Sequence, residues 1–255
     1  MRNCSLANRL QLSKSFDDAH SANRASQRVL RHRMSYVRMR TQIKNRIRTL
    51  LAQQREEIRE MAESQTHLFG VHGMKVLREL ELAGRDNEML KSLMKTYNHL
   101  QRCIKQSDAL VREIYNSCEE ARLISTIPGF GRFFSVLVVT EIVDIERFAS
   151  DRKLHSYVGV IPSTHESGER SYHGRLVNQG NKWLRWAVVE AVWPAIRADF
   201  DIRVLYERYA KRKGANSAKI VVARRLLTII YRVLKEKRTF IPYKRETNRL
   251  PSCLN

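Results

Sequence analysis

A serine hydroxyl set among guanidinium groups is a candidate nucleophile toward phosphorus, because the cations stabilise the negative charge that develops on the phosphoryl oxygens. The stretch IPSTHESGERSYHGRLVNQGNKWLRW, residues 161–186, has that make-up: Ser167 stands between Glu166 and Gly168, and Arg170, Arg175, Lys182 and Arg185 follow. Gly168, Gly174 and Gly180 recur at six-residue intervals, a loop pattern that lets the backbone approach a ligand closely. A covalent phosphoserine formed here would conserve the energy of a phosphodiester, so that a strand could be rejoined without ATP. A serine before a glycine is also an ordinary loop residue, and both readings stand. An esterase-like reading is weaker. His165 and His173 are close by, but HESGE is not a G-x-S-x-G elbow and no strand is expected before it.

A second pattern lies upstream. In LISTIPGFGRFFSVLVVTEIVDIERF, residues 123–148, apolar helix residues flank Pro128, Gly129 and Gly131, a spacing that predicts helix, tight turn, helix. In a helix-hairpin-helix element the glycines let turn amides reach a phosphate at a helix N-terminus, and Arg132 can add a charge-assisted contact. An ordinary helical turn would use the same residues. Glu141 and Asp144 follow on or near the second helix, and one pair of acids is too little for a metal site, so no metal ligand is assigned.

The elements that must position these residues are mostly helices. From Ala19 to Arg55 there is no acidic residue, and ten Lys or Arg occur there, from Arg24 to Arg55. Val29, Tyr36, Ile43 and Leu50 lie one heptad apart, which predicts a long helix with one buried seam and an arginine stripe opposite. Leu90, Tyr97, Ile104, Val111 and Cys118 form a second heptad series, and two such helices predict an antiparallel hairpin. HLFGVHGMK and LAGRDNEM supply the glycines and polar residues of the connection, with room for a short helix. Farther on, a helix from Trp183 to Ile196 and another with Ala218, Val222, Leu226, Ile230 and Val233 on one face are expected. The fold class is therefore mainly α: a coiled-coil helical hairpin followed by a compact helical domain with a helix-hairpin-helix element. A short β-hairpin around residues 169–177 is allowed and a parallel sheet is not expected. The expected divisions are 1–28, a short N-terminal remnant; 29–122, the basic coiled-coil hairpin; 123–240, the compact domain; and 241–255, a tail.

Composition narrows the partners. The 255 residues hold 47 Lys plus Arg against 26 Asp plus Glu, a formal charge of +21, with 43% hydrophobic residues. Such a chain folds and attracts polyanions, because neutralising phosphates releases condensed counterions. Nucleic acid is the expected partner. Apolar runs such as FFSVLVV are far too short for a bilayer span, and the start MRNCSLANRLQLSKSF has no apolar signal region, so no membrane partner and a cytoplasmic location are expected. Cys4, Cys103, Cys118 and Cys253 contain no C-x-x-C pair, which argues against zinc-finger and disulfide frameworks.

Taken in order, STIPGFG, TEIVDIERFASDRKLHSYVGVIPSTHESGERSYHGRLVNQGNKWLRW and RYAKRKGANSAKIVVARRLLTIIYRVL resemble the C-terminal domain of the Piv-invertase-related insertion-sequence transposases, the one-hundred-and-ten group. The resemblance runs from about Leu123 to about Phe240, and RTQIKNRIRTLL resembles the first arm of that group's coiled coil. It implies a DNA recombinase in which the serine before glycine, here Ser167, is the nucleophile. It also implies a RuvC-like domain with a DEDD acidic tetrad that binds magnesium, a structured guide RNA, and a homo-oligomer. That acidic domain lies N-terminal to the coiled coil in the group, whereas only some 28 residues stand there in this chain. Asp17 and Asp18 are adjacent rather than spaced as the group has them. The expectation is of a truncated transposase, inactive alone, with no cofactor in this chain. The rival reading is a basic nucleic-acid-binding scaffold with no chemistry.

Because two basic stretches, 24–55 and 203–238, hold most of the positive excess, affinity for duplex DNA or structured RNA should fall steeply with salt. Fluorescence anisotropy across a salt series checks this, and a flat dependence refutes it.

Overall fold

The structure is a computed structural model that describes the backbone of residues 3–64, 67–160, 162–167, 170–176 and 180–242, with side chains described outside 3–20, 22, 63, 162–167 and 170–176. Two compact units divide the chain, one formed by residues 28–110 and the other by 1–27 with 111–255. The N-terminal residues thus belong with the C-terminal unit, where the sequence suggested a separate remnant. The expected tail beyond 242 lies outside the described residues.

In the 28–110 unit, α1 (Asn3–Ala52) and α4 (Arg85–Ser117) supply the long helices, with α2 (Glu56–Ser64) and α3 (Val71–Glu79) between them. Three side-chain bridges establish the antiparallel sense: Arg33 to Asp108 at 2.5 Å, Arg40 to Gln101 at 2.9 Å and Gln54, in the turn after α1, to Asp86 at 2.8 Å, with partners falling along α4 as the first chain segment rises. Ile47, Leu50 and Leu51 of α1 pack with Leu90, Met94 and Tyr97 of α4 in one apolar cluster. Of the expected α1 seam, Leu50 is buried while Val29, Tyr36 and Ile43 are only partly covered. Among the described residues of α1, Leu30, Ile47 and Leu51 are the most deeply buried. The connection holds two helices where one was expected, and Leu68, Met74, Leu77 and Leu82 roof the cluster. Glu56 and Glu57 open α2, and Asp86 and Glu88 open α4, carboxylates where the helix dipole favours them.

In the other unit, α5 (Glu119–Ser125), α6 (Arg132–Ile142) and α7 (Asp151–Val158) precede a two-stranded antiparallel sheet of β1 (Pro162–Ser167) and β2 (Arg170–Leu176); α8 (Lys182–Ala198), α9 (Phe200–Lys213) and α10 (Ala215–Lys235) follow. The hairpin starts seven residues before the expected 169–177 segment, at Pro162. Alternation of apolar and polar residues is too weak there for sequence patterning to place it. Ala187, Val188, Ala191, Val192 and Ala195 of α8 are fully buried, so this helix is the hub against which α6, α9 and α10 pack. Asp199 ends α8 and opens α9, its carboxylate accepting from the Ile202 amide at 3.0 Å. α9 closes on Lys211, Arg212 and Lys213 and stops at Gly214, φ 80°, cations at the negative end of the helix dipole followed by a residue that tolerates positive φ. Among the described residues no helix is long and apolar enough to cross a membrane.

α7 and α10 are joined by a polar cluster. The Thr228 hydroxyl donates to Asp151 Oδ2 at 2.9 Å and lies 3.3 Å from His155 Nε2. The hydroxyl hydrogen bond holds the Asp151 carboxyl below its ordinary range. Burial pushes the His155 imidazole below its ordinary value, aided by Arg224 and opposed by Asp151. Both groups therefore bind fewer protons folded than unfolded, so stability rises with pH. The histidine contribution is lost as pH falls below its unfolded value of about 6.5, and the aspartate contribution as pH falls below about 4. The melting temperature should drop between pH 7.5 and pH 5, and His155→Gln should flatten that interval. A wild-type melting temperature independent of pH there would refute the assignment.

Candidate functional site

The site is the β-hairpin and the residues that close its base. Just before β1, α7 ends at Gly159 in the left-handed conformation, φ 75°. Just after β2, Gly180 stands at φ 147°, where a Cβ would come within 2.9 Å of Gly159 N and of Val158 C and O. Only glycine lets the two ends of the hairpin meet this closely. The next residue, Asn181, fastens them. Its amide N–H donates to the Tyr157 carbonyl at 2.9 Å. Its side-chain carbonyl caps α8 by accepting from the Trp183 and Leu184 amides, both at 3.0 Å. Its side-chain NH₂ donates to Glu141 Oε2 at 2.7 Å and to the Tyr157 hydroxyl at 3.1 Å. Tyr157 in turn donates to the Glu141 carbonyl at 3.2 Å, and Arg185 Nη1 donates to the Val158 carbonyl at 3.4 Å.

Glu141 is buried, at 5% exposure, and the hydrogen bond from Asn181 offsets part of the cost of burying its carboxyl. It stands at the end of α6, where the backbone is strained. Val143 has φ 65° and ψ −65°, and the Asp144 amide donates back to the Ile142 carbonyl at 2.8 Å, a γ-turn. A β-branched residue in that region costs about 1–3 kcal/mol. The Thr140 carbonyl, left over as α6 ends, accepts from Asn23 Nδ2 and Gln27 Nε2 of α1, both at 2.9 Å. Sequence reasoning set Glu141 aside as half of an insufficient acidic pair and did not single out Asn23, Gln27, Tyr157 or Asn181. A G-N dipeptide opening an apolar helix was the available signal, since Asn is a favoured N-cap.

Ser167 ends β1 and Arg170 begins β2, and the two are Cα partners in the register; His165 pairs with Tyr172 and Thr164 with His173. Arg175 lies farther along β2. The side chains of Ser167, Arg170 and Arg175 lie outside the described residues. Lys182 is exposed and Arg185 half-buried in the first turn of α8, so the base network brings Arg185 to the hairpin stem.

The turn at 126–131 joins α5 to α6, and its two glycines differ. Gly129 has φ 93°, and a Cβ there would meet the Ala191 carbonyl at 2.6 Å; it is glycine so that the turn can lie on α8. Gly131 has an ordinary φ of −69° as the residue before α6, is exposed, and has nothing within 4 Å of a Cβ. Arg132 is exposed with its guanidinium 6.0 Å from the Tyr115 ring centre. No side chain caps α6, which leaves its first amides to solvent or a ligand. Beside this terminus Phe134 and Trp186 meet edge-to-face at 5.0 Å and Trp183 and Trp186 at 6.1 Å.

Among the described residues, no three His, Cys, Asp or Glu side chains converge as metal ligands would, and Glu141 is already engaged by Asn181.

The segment that carries the hairpin also has relatives among known proteins. Residues 121–207 match the transposase IS116/IS110/IS902 family. The chain is 31% identical over 168 residues to the pilin gene-inverting protein of Moraxella bovis, covering 60% of this chain and 51% of that protein. It is 24% identical over 221 residues to the transposase for insertion sequence element IS1111A of Coxiella burnetii, covering 84% of this chain and 59% of that one. With an insertion element IS116 protein of Streptomyces clavuligerus it shares 26% identity over 143 residues, 54% of this chain and 35% of the relative. The chain thus spans between 35% and 59% of the length of these curated relatives, and its relatives include insertion-sequence transposases.

Gly129→Ala should destabilise the fold by about 2–4 kcal/mol, through overpacking against Ala191 and positive φ. Gly131→Val should stay helical and thermally stable, as nothing crowds that position, and should weaken DNA binding if the exposed α6 amides take a phosphate. Circular dichroism melts and anisotropy on both variants check this. An unchanged affinity in folded Gly131→Val makes the turn purely structural.

Proposed function

We propose that this chain provides the DNA-acting part of an insertion-sequence transposase, with Ser167 as a nucleophile on DNA phosphorus. The observation that carries this reading is the pinned hairpin. Ser167 sits at the far end of β1 within the 121–207 segment that matches the transposase family, and the hairpin base is locked by Gly180 and the Asn181–Glu141–Tyr157 network. Placement matters to a nucleophile, because a misplacement of about 1 Å can cost two orders of magnitude in rate, and the residues flanking the hairpin are the part of its mount that the helices hold.

In the proposed step the Ser167 hydroxyl attacks phosphorus. An Oγ–P bond forms, a P–O bond of the DNA strand breaks, and the departing sugar oxygen leaves as a hydroxyl after taking up a proton. One phosphodiester replaces another, so attack of a second strand's hydroxyl on the adduct regenerates serine and joins DNA without an energy source. Arg170, Arg175, Lys182 and Arg185 are the cations assigned to the charge that grows on the phosphoryl oxygens. An unassisted serine hydroxyl is a poor nucleophile, and assistance is assigned to the acidic RuvC-like domain, with its magnesium, that the resemblance pairs with this one. A structured guide RNA, a homo-oligomer and a cytoplasmic site of action belong to the same proposal.

The test supplies a RuvC-like domain of the family, its guide RNA and DNA to this chain, fused or in trans. The wild-type chain should form a covalent protein–DNA adduct and Ser167→Ala should form none. An adduct with Ser167→Ala would move the role to Ser163 or Ser171. Affinity without an adduct in every arm favours the scaffold reading, in which the arginine-rich α1 binds nucleic acid and no chemistry follows.

A further inference from the structure

The 28–110 unit contains a cleft that the chemistry of Ser167 does not use. It has a volume of about 570 Å³ and lies between the end of α1, α2 and the segment before α3. Its floor is apolar, with Leu51, Leu68 and Phe69, and its rim carries Lys44, Arg48 and Arg59. Lys44 Nζ lies 4.9 Å from the Phe69 ring centre and 5.9 Å from that of Tyr97, and the Arg48 guanidinium is 5.4 Å from Phe69.

The cations stand in an unusual relation to one another. Arg40, Lys44 and Arg48 follow at four-residue steps of α1, so they share one helix face, where like charges repel. Arg40 bonds to the neutral Gln101, and its buried Nε has no partner. Arg59 pairs with Glu56. Among the described residues neither Lys44 nor Arg48 has an acidic partner. Burial, and then the charges of Arg40 and Arg48, push the Lys44 ammonium below the ordinary lysine range. A column of cations crowded over aromatic rings, with no carboxylate against Lys44 or Arg48 among the described residues, raises the electrostatic cost of the free fold, and an anion seated between Lys44 and Arg48 would remove that cost.

We propose that this cleft holds one unpaired nucleotide of a nucleic-acid strand, its phosphate on Lys44 and Arg48 and its base on the apolar floor beside Phe69. The volume suits a single nucleotide, since ligand pockets run from about 300 to 1,000 Å³. Its shape selects an unpaired base, because a base in a duplex is stacked and cannot enter a cleft. A phosphate on basic side chains combined with a base on an aromatic surface is the general means of holding single strands. The proposal is independent of Ser167 and stands or falls without it.

The test uses the full chain with fluorescein-labelled single-stranded DNA, single-stranded RNA and a blunt duplex of the same sequence. Lys44→Gln with Arg48→Gln should weaken single-strand binding about tenfold more than Lys91→Gln with Lys95→Gln, which removes equal charge from exposed positions of α4. The duplex should not distinguish the two double variants. Removing like charges that repel should leave the melting temperature of the cleft variant no lower than that of the charge control, which a purely structural role for Lys44 would not allow. Phe69→Leu should cost about fivefold or more on single strands. Because that change could disturb packing, the unaltered chain carrying iodouridine-substituted strands should crosslink to peptides containing His67, Phe69 or Tyr97. Single-strand affinity of the cleft variant equal to that of the charge control, or crosslinks confined to other peptides, overturns the proposal. Loss of AMP binding in the cleft variant with strand affinity intact also overturns it, by making the occupant a free nucleotide.

Discussion

The hydrogen bonds of the Asn181 side chain are the constraint on which the candidate site rests. One amide group caps α8, reaches a buried carboxylate at the end of α6 and meets a hydroxyl from α7. Three helices are thus referred to one side chain of two rotatable bonds. The hairpin leaves from the end of α7 and returns at this residue, so its base inherits the precision of the surrounding helices. A buried network of this kind is costly when incomplete and specifying when satisfied. Here the donors and acceptors of Asn181 are matched, and the Glu141 carboxylate accepts one of them.

Local strain accompanies that arrangement. Val143 could relax to an ordinary conformation only if α6 ended elsewhere, and its end is held on both sides. Asn23 and Gln27 bind the Thr140 carbonyl, and Tyr157 binds the Glu141 carbonyl. These three donors occupy carbonyls near the helix C-terminus, the groups a helix leaves without partners. The same donors join the N-terminal part of α1 and α7 to α6. The bonds from Asn23 and Gln27 thus tie the end of the 1–27 segment to α6, more than a hundred positions away in sequence.

The 28–110 unit follows a different logic, in which apolar periodicity fixes the pairing and charge is what remains on the outside. Arg33, Arg40 and Gln54 find partners across the antiparallel pair, while Lys44 and Arg48 rest on rings. Aromatic faces attract cations but do not neutralise them, so the field of the arginine-rich helix persists at its surface.

The amino-acid sequence by itself determined the helical class, the two long helices and their antiparallel relation, because heptad-spaced apolar residues such as Leu50, Leu90 and Tyr97 act through local periodicity. It also determined the basic character and the position of the α5–α6 turn, since Pro128 and Gly129 restrict backbone dihedrals directly. Tertiary structure alone decided what those residues meet. Gly129 and Gly131 look equivalent in IPGFG, yet one lies against the Ala191 carbonyl and the other is open, a difference set by α8 some sixty residues away. Likewise Glu141 and Asn181 carry no mutual signal across forty positions. Their pairing exists only once α6, α7 and α8 have packed, because a hydrogen bond depends on distance in space and the sequence records distance along the chain.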